Sequence, residues 1–228
     1  KITDVDNLTR IRINITKVLA NTKDSQCVYP LLYCLNSKDE NYKIKLSCAE
    51  ALGKIGDKYA VLPLMNIVED EEEHSVYVKE SAVCALGMIG DSKAVDSLVS
   101  ILESKKGLLD KFTFLKERAL EALNKLNFKG ERVFNAVVKS LRDESPQIRI
   151  NAIEVLMNSE DKRAVSLIEE MLNDPNRDVV QNAVIALYNI KGDEYLDSLI
   201  NTPETPSRAR EEAINLKQDL MENEDEDE

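Results

Sequence analysis

The chain has 228 residues, of which 43% are hydrophobic, and its formal net charge is −12. This composition is that of a globular protein with a core, and 7 Gly and 6 Pro are few enough to favour helices throughout. The acidic charge predicts no nucleic-acid partner, because that binding depends on Lys and Arg. No apolar run reaches the roughly 20 residues of a bilayer-spanning helix, and the first fifteen residues lack the apolar block of a secretory signal. We therefore expect a cytoplasmic protein with no membrane partner.

A repeated stretch organises the chain. The letters SCAEALGKIGD at 47–57 return as SAVCALGMIGD at 81–91, and the same pattern fits six registers along the sequence. The registers start at Ile11, Ile44, Val78, Leu115, Ile148 and Val179. In each copy the fifth, sixth, eighth and ninth positions are apolar or small, which is the spacing of one helix face. Each copy is therefore predicted to contain an amphipathic helix at its start residue.

Two columns of charge accompany this register. The position after the start is basic in the first five copies and apolar in the last, and its residues are Arg12, Lys45, Lys79, Lys116, Arg149 and Val180. The position five residues before the start is acidic in all six copies, and its residues are Asp6, Asp39, Glu73, Asp110, Asp143 and Asp174. The acidic column plays no part in aligning the copies, so it supports the register independently.

A Gly-Asp pair follows the helix in the second and third copies, at 56–57 and 90–91, and a second amphipathic segment comes after it. Gly favours the end of one helix and Asp favours the cap of the next, so each copy is predicted to be a helical hairpin. One hairpin cannot bury two apolar faces alone, which means that the copies must stack.

The two ends of the chain depart from the repeat. Only KITDV precedes the acidic position of the first copy, so the stack is expected to begin with a half repeat or to continue from upstream residues. The repeats are predicted to occupy residues 1–205. A capping helix is predicted at 206–221, and an acidic disordered tail at 222–228.

The unit DxxxxVRxxAAxALGxIGDxxAVxxLxxxL resembles HEAT repeats, in particular the short class first noted in phycobilisome lyases. Residues 39–69 and 73–102 match it almost position by position, and the resemblance covers about residues 6–200. It implies an all-α fold, a right-handed α-solenoid (alpha-alpha superhelix) of about six HEAT-like hairpins, with the first helix of each copy on the concave side. It also implies a ladder of hydrogen bonds between the two charged columns, as in Asp39 with Lys45 and Asp143 with Arg149.

Little in the sequence points to catalysis. The one histidine, His74, stands in an acidic loop, and a Ser-His-Asp group, a Cys-His group or a zinc site would need it together with partners that the sequence does not supply. Cys27, Cys34 and Cys48 occupy columns that hold small or apolar residues in other copies, whereas Cys84 occupies an outward column. We expect no catalytic residue, no metal and no cofactor.

A partner would contact the outward columns of the first helices, which mix amides, hydroxyls, both charges and apolar groups. Such a surface suits a protein or peptide partner better than a polyanion. The predicted partner-binding residues are Ser47, Glu50, Lys54, Ser81, Cys84, Met88, Arg118, Glu121, Lys125, Asn151, Glu154, Asn158, Asn182, Ile185 and Asn189. In the first copy the same columns hold Asn14, Lys17 and Asn21.

The sequence thus predicts a non-enzymatic scaffold or adaptor, and two alternatives stay open. The resemblance to phycobilisome lyases suggests a bilin lyase-like protein that handles a chromophore, for which Cys84 and Tyr188 would be tested, although the chain has few aromatic residues and no Trp. The other alternative is a helical-repeat DNA glycosylase, and the acidic charge weighs against it.

Overall fold

The computed structural model describes residues 4–70, 75–104, 113–127 and 130–226, and within these ranges the regular structure is helical. The predicted all-α class is therefore confirmed. The helices are α1 (Asp4–Thr22), α2 (Val28–Asn36), α3 (Tyr42–Ile55), α4 (Val61–Glu69), α5 (Val76–Ile89), α6 (Val95–Glu103), α7 (Thr113–Leu126), α8 (Glu131–Ser140), α9 (Pro146–Asn158), α10 (Lys162–Glu170), α11 (Arg177–Lys191), α12 (Asp193–Asn201) and α13 (Ser207–Glu226). Single turns of 3-10 helix precede α2, α4 and α6, and another follows α10.

Two kinds of helix alternate along the chain. The helices that carry the six start residues are called the repeat helices here, and they are α1, α3, α5, α7, α9 and α11. The helices that lie between them in sequence, together with α12, are called the companion helices. The chain forms two compact units, Lys1–Phe128 and Lys129–Glu228.

Within the first unit the repeat helices pack in sequence order, α1 on α3, α3 on α5 and α5 on α7. Each companion helix packs chiefly on the repeat helix that follows it, so α2 lies on α3, α4 on α5 and α6 on α7. Each companion helix was predicted to pair with the repeat helix before it, and in the first unit it packs more closely on the repeat helix after it. In the second unit α10 packs on both α9 and α11, and α12 packs on both α11 and α13. Within the second unit α9 packs on α11 and α11 packs on α13.

The Gly-Asp pairs form the predicted turns. Gly56 adopts a left-handed φ of 78° just after α3, and its N–H donates to the carbonyl of Leu52 over 3.1 Å. The Asp57 carboxylate then accepts a 2.9 Å hydrogen bond from the N–H of Tyr59, which starts the turn into α4. A residue with a Cβ would be strained at this φ, so glycine is the residue that the turn needs.

The apolar columns form the core in both units. The start residues of the second to sixth copies are at most 2% exposed, whereas Ile11 of the first copy is 56% exposed. Small residues in these columns let the repeat helices approach closely. A Cβ added to Gly87 on α5 would lie 2.9 Å from the Cβ of Ala122 on α7, which is closer than two such atoms can pack. Backbone therefore packs almost directly on a neighbouring side chain at this point.

The basic column holds the loops as expected, but through different atoms from those predicted. Lys79 donates through Nζ to the carbonyls of Val68 and Asp70, at 2.9 and 2.5 Å. Arg149 donates to the carbonyl of Asp143 at 2.9 Å, and its carboxylate partner is Asp174 of the next copy. The implied pairing of Arg149 with the carboxylate of Asp143 is therefore replaced by a backbone bond within the copy and an ion pair between copies.

Helix α13 is a further repeat helix. Glu204, Ala209 and Arg210 have the spacing of the acidic, start and basic columns, and Ala209 is fully buried. Arg210 donates to the carbonyls of Thr202, Pro203 and Thr205 at 2.8 to 3.3 Å, as Lys79 and Arg149 do in their own loops. The predicted capping helix is thus the last repeat helix of the described chain.

Helix α13 continues to Glu226, so it extends into residues 222–226, for which the sequence predicted an acidic tail. Residues 227 and 228 lie outside the described residues.

Candidate protein-binding surface

Three of the predicted contact residues are buried. Ser47, Ser81 and Asn151 are 4%, 8% and 7% exposed, because neighbouring repeat helices pack over this column. Ser47 shares a hydrogen bond with the Thr16 hydroxyl across the contact between α3 and α1. Asn151 accepts a 2.8 Å hydrogen bond from Gln147 on its own helix. The first outward column therefore contributes to helix packing at these positions and offers no open surface to a partner there.

The next two columns do form a surface in the first unit. They place Glu50 and Lys54 on α3, Cys84 and Met88 on α5, and Glu121 and Lys125 on α7. Lys54, Met88 and Lys125 are exposed, and Cys84, Glu50 and Glu121 are half-buried. An apolar pair on α5 is therefore flanked on each side by a Glu-Lys pair one helical turn apart.

A cavity of about 90 Å³ opens between α5 and α7 within this surface. Its lining residues are Cys84, Gly87, Met88, Arg118, Glu121, Ala122 and Lys125. The structure thus brings five of the predicted contact residues to one small concavity. Gly87 and Ala122 form its floor, where the absence of long side chains leaves the space open.

Arg118 is held on one side of the cavity by two carboxylates. Its Nη1 donates to both oxygens of Glu121, at 2.6 and 2.7 Å, and its Nε donates to Glu80 over 3.2 Å. These bonds, first those to Glu121, raise the pKa of the Arg118 guanidinium. The guanidinium stays charged, and these hydrogen bonds fix its orientation at one side of the cavity. Glu80 was not among the predicted residues, because it lies one residue before the first outward column, which holds Ser81 in this copy.

Cys84 and Met88 supply the apolar part of the site. Burial raises the pKa of the Cys84 thiol above its ordinary value, so the side chain is a neutral thiol at pH 7. Met88 is 42% exposed, and its terminal methyl lies where a Cβ on Gly53 of α3 would be only 2.5 Å away. Gly53 therefore provides the notch in which the Met88 side chain rests.

The predicted residues of the second unit lie on α9 and α11. Glu154, Asn158 and Asn189 are exposed, while Asn182 and Ile185 are half-buried. Asn182 donates to the carbonyl of Asp178 over 2.8 Å, and Asn189 donates to the sulfur of Met157 over 3.5 Å. These two amides are thus engaged within the unit.

Groups outside this surface show little sign of other chemistry within the described ranges. In those ranges no group of three or more His, Cys, Asp or Glu side chains is placed to hold a metal ion. His74 lies outside the described residues. Burial raises the pKa of the Cys48 thiol to about 12, consistent with a core position. None of the described helices combines the length and the apolar character that crossing a bilayer demands.

Two surfaces of exposed apolar and aromatic side chains were not predicted from the sequence. Tyr29, Tyr33, Tyr59 and Leu62 are more than half exposed on and beside α2 and α4, and a groove on α2 includes the first two. Leu8, Ile11, Ile15 and Val18 are also more than half exposed, along one face of α1. The second surface had a signal in the sequence, since Ile15 and Val18 stand in columns that hold Cys or Ala on α3 and α5.

Known structures share this fold. The complex of CpcE and CpcF of phycocyanin lyase from Nostoc sp. PCC7120 aligns with a TM-score of 0.54 and 20% identity, over 96% of this chain and 90% of that chain. A designed armadillo repeat protein in complex with the peptide (KR)4 aligns with a TM-score of 0.56 and 17% identity, over 80% of this chain and 91% of that chain. These identities show a common fold and leave activity undetermined.

A family model supports the same conclusion at the level of sequence. None of the curated proteins that were compared matches the chain. The family model for HEAT repeats matches residues 30–124, 107–188 and 134–217, which together span most of the sequence. The pairing of short helices, the closely packed Ala and Gly columns and this match agree with one another, and the chain belongs to the HEAT-repeat family.

Proposed function

We propose that the protein is a non-enzymatic scaffold that binds a peptide or a protein segment across the repeat helices of its first unit. The cavity between α5 and α7 carries this proposal, because five residues predicted from the outward columns converge on it. HEAT-repeat proteins stack their helices into extended surfaces that commonly bind partners. The peptide in the designed armadillo complex gives one example of a peptide bound by this fold.

The chemistry of the surface defines the kind of segment that it suits. A cavity of about 90 Å³ holds one aliphatic side chain, and Cys84, Met88 and the floor at Gly87 give it apolar walls. Glu121 and Lys125 on one side, with Glu50 and Lys54 on the other, offer both charges to the flanking residues of a ligand. A segment with one aliphatic anchor between charged or amide side chains therefore fits the surface best.

Two observations weigh against the bilin lyase-like alternative. The raised pKa of Cys84 makes its thiol a poor nucleophile for attachment chemistry. The cavity lining contains no aromatic ring on which a tetrapyrrole could stack. An absorbance titration with a free bilin tests this alternative directly, and a saturable spectral change that Cys84→Ala abolishes would favour chromophore handling over peptide binding.

The scaffold proposal can be tested with a displayed library of random peptides selected on the whole chain. We expect the selected peptides to share one aliphatic residue. Their affinity for the Met88→Asp variant should be at least tenfold lower than their affinity for the wild type. Leu62→Asp is the matched control, since Leu62 is 59% exposed on the companion helix α4 and its replacement should leave the affinity unchanged. Failure to select any peptide, or equal binding by the two variants, would exclude this surface.

A further inference from the structure

A pair of stacked aromatic rings lies on the two helices that line the cavity. The ring centroids of Tyr77 on α5 and Phe114 on α7 are 6.5 Å apart, and the angle between the ring planes is 12°. Tyr77 is 56% exposed and Phe114 is half-buried. The two rings together are called the aromatic platform here. Solvent reaches the platform mainly through the Tyr77 ring.

The platform occupies an outward position of the repeat, so packing in the core does not explain it. Tyr77 and Phe114 each stand one residue before the start residue of their copy. The other four copies have polar, exposed residues at this position, and they are Arg10, Lys43, Gln147 and Asp178. The position is therefore open in interior copies, and the exposure of Tyr77 does not depend on an end of the chain. Aromatic residues occupy it in the two copies whose helices form the cavity.

The platform and the cavity lie on one face of the two helices. Tyr77 precedes Cys84 by seven residues on α5, and Phe114 precedes Glu121 by seven residues on α7. Seven residues make about two helical turns, so each helix carries both features on one face, about 10.5 Å apart along its axis. Arg118 lies between them, with its charge balanced by its carboxylate partners. The platform is thus a second feature beside the cavity and not part of its lining.

The charges beside this face favour an acidic ligand. Lys43 stands on α3 at the same repeat position as the platform residues, and Lys54 and Lys125 stand at the position of Met88. The three lysines are exposed, and within the described residues none of them forms an ion pair. Glu50 is the one carboxylate in the predicted surface of the described first unit that no basic side chain binds. Three free ammonium groups and one free carboxylate complement a negatively charged partner, although the whole chain carries −12.

The separation of about 10.5 Å indicates the conformation of the ligand. A ligand helix places side chains seven residues apart on one face at this same spacing. An extended strand returns to one face about every 6.7 Å, so its same-face spacings of about 6.7 and 13.4 Å miss the separation. Polyproline II comes closer, with about 9.3 Å for three residues, and the helix matches best.

We infer that the partner segment is an acidic amphipathic helix that lies along α5 and α7, with an aliphatic residue in the cavity and an aromatic residue seven positions away on Tyr77. This partner class rests on the proposed function, to which it adds a second anchor, a helical conformation and a negative charge. Helices bind in grooves through regularly spaced anchors of this kind, and a contact between rings strengthens a complex beyond the area that it buries.

Stapled helical peptides of sixteen residues test the inference by fluorescence anisotropy with the whole chain. They consist of alanine and glutamate around one leucine and one phenylalanine. In the matched peptide these two lie seven positions apart, and in the shifted peptide they lie nine positions apart, on opposite sides of the helix. We expect the matched peptide to bind the wild type at least about tenfold more tightly than the shifted peptide.

Variants of the chain locate the second anchor. Tyr77→Ser should weaken binding of the matched peptide about tenfold, because the phenylalanine loses its ring contact. Tyr33→Ser is the matched control, since Tyr33 is 81% exposed on the companion helix α2, and it should leave the affinity unchanged. A peptide with alanine in place of phenylalanine should bind the wild type and Tyr77→Ser equally. That equality separates a direct ring contact from a general effect on the fold.

The charge of the ligand is tested separately. A peptide with lysine in place of every glutamate should bind the wild type at least about tenfold more weakly than the matched peptide. The affinity of the matched peptide should also fall as the salt concentration rises, because exposed charges are screened.

Several results would overturn the inference. Absence of binding by the matched peptide, or equal binding by the shifted peptide, would refute the spaced anchors, and equal binding by the lysine peptide would refute the acidic ligand. A loss of the alanine peptide's affinity in Tyr77→Ser would leave Tyr77 with a structural role only. Library peptides that depend on Met88 and not on Tyr77 would overturn the helical two-anchor partner while the proposed scaffold function stands. If no library peptide binds, both fail.

Discussion

Arg149 binds Asp174 through two parallel hydrogen bonds, Nε to Oδ2 and Nη2 to Oδ1, each 2.8 Å long. Both residues are 8% exposed, so the pair joins two successive copies inside the second unit. The same guanidinium also donates to the carbonyls of Asp143 and Glu144. One side chain therefore holds its own loop and the loop of the next copy at fixed positions.

Replacing Arg149 with Met should lower the free energy of unfolding by about 3 to 5 kcal/mol, because a buried carboxylate loses its partner. The double variant Arg149→Met/Asp174→Asn should recover part of this loss, since it removes the unpaired charge. Urea unfolding measures both values. Glu131→Gln is the control, because its ion pair with Arg163 is exposed and screened by solvent, so its loss should change the stability far less. A loss at Arg149 no larger than that of the control would contradict the bridging role.

The close contact between Gly87 and Ala122 limits the size of the side chain at position 87. Gly87→Leu should destabilise the first unit by about 1 to 3 kcal/mol or more, because the added side chain has no space against α7. Gly87→Ala should also destabilise it, in spite of the better helix propensity of Ala. Adding Ala122→Gly to Gly87→Ala should restore stability by reopening the gap. Additive losses in the double variant would show that the two positions do not touch.

The cap at Asp91 should give the stability a pH dependence of known sign. A hydrogen bond from the N–H of Lys93, 3.0 Å long, lowers the pKa of Asp91 below its ordinary value of 3.8. A lowered folded-state pKa means that the carboxylate stabilises the fold above that ordinary value and ceases to do so as the pH falls through the folded-state pKa. Asp91→Asn should therefore be less stable than the wild type at pH 7, and the difference should shrink toward pH 2.5.

Thermal unfolding at several pH values measures this difference. Lys58→Met should leave most of it in place, because the Lys58 ammonium lies 3.7 Å away and is the smaller cause of the shift. A difference in melting temperature between the wild type and Asp91→Asn that stays constant from pH 7 to pH 2.5 would contradict a stabilising role for the Asp91 carboxylate.

The thiols should differ in reactivity. Burial raises the pKa of Cys84, and it raises that of Cys48 to about 12, so both thiols should be alkylated by iodoacetamide more slowly than an unstructured cysteine at pH 7.5. Mass spectrometry of timed digests gives the rate at each site, and the chain unfolded in urea is the reference. Labelling of Cys84 faster than this reference would reopen the possibility of a nucleophilic role.

The sequence predicted the repeat register well because burial of one helix face leaves a strong periodic signal. Ile44, Val78 and Ile148 are buried as expected. The repeat pattern did not identify α13 as a further copy, because Lys217 stands in an apolar column and Ala209 replaces the usual Ile or Val. There the hydrogen bonds of Arg210 identify the copy, and they are visible only in three dimensions.

The outward surface was harder to predict for a geometric reason. A repeat helix has neighbours on two sides and a companion helix behind it, so only a narrow strip stays open. Ser47 and Ser81 lie just outside that strip and are buried, although their polar side chains suggest exposure. Met88 falls on it, and the space that receives its methyl depends on Gly53 in another copy. Exposure here is set by the angle between helices, which no single column of residues encodes.

The packing of each companion helix on the repeat helix that follows it has a mechanical consequence. A companion helix and the repeat helix on which it packs are consecutive in the chain. A pulling force that unfolds the two helices together therefore extends one continuous segment. From Val28 to Val61 this segment contains about 33 residues, and its extension would lengthen the chain by roughly 110 Å.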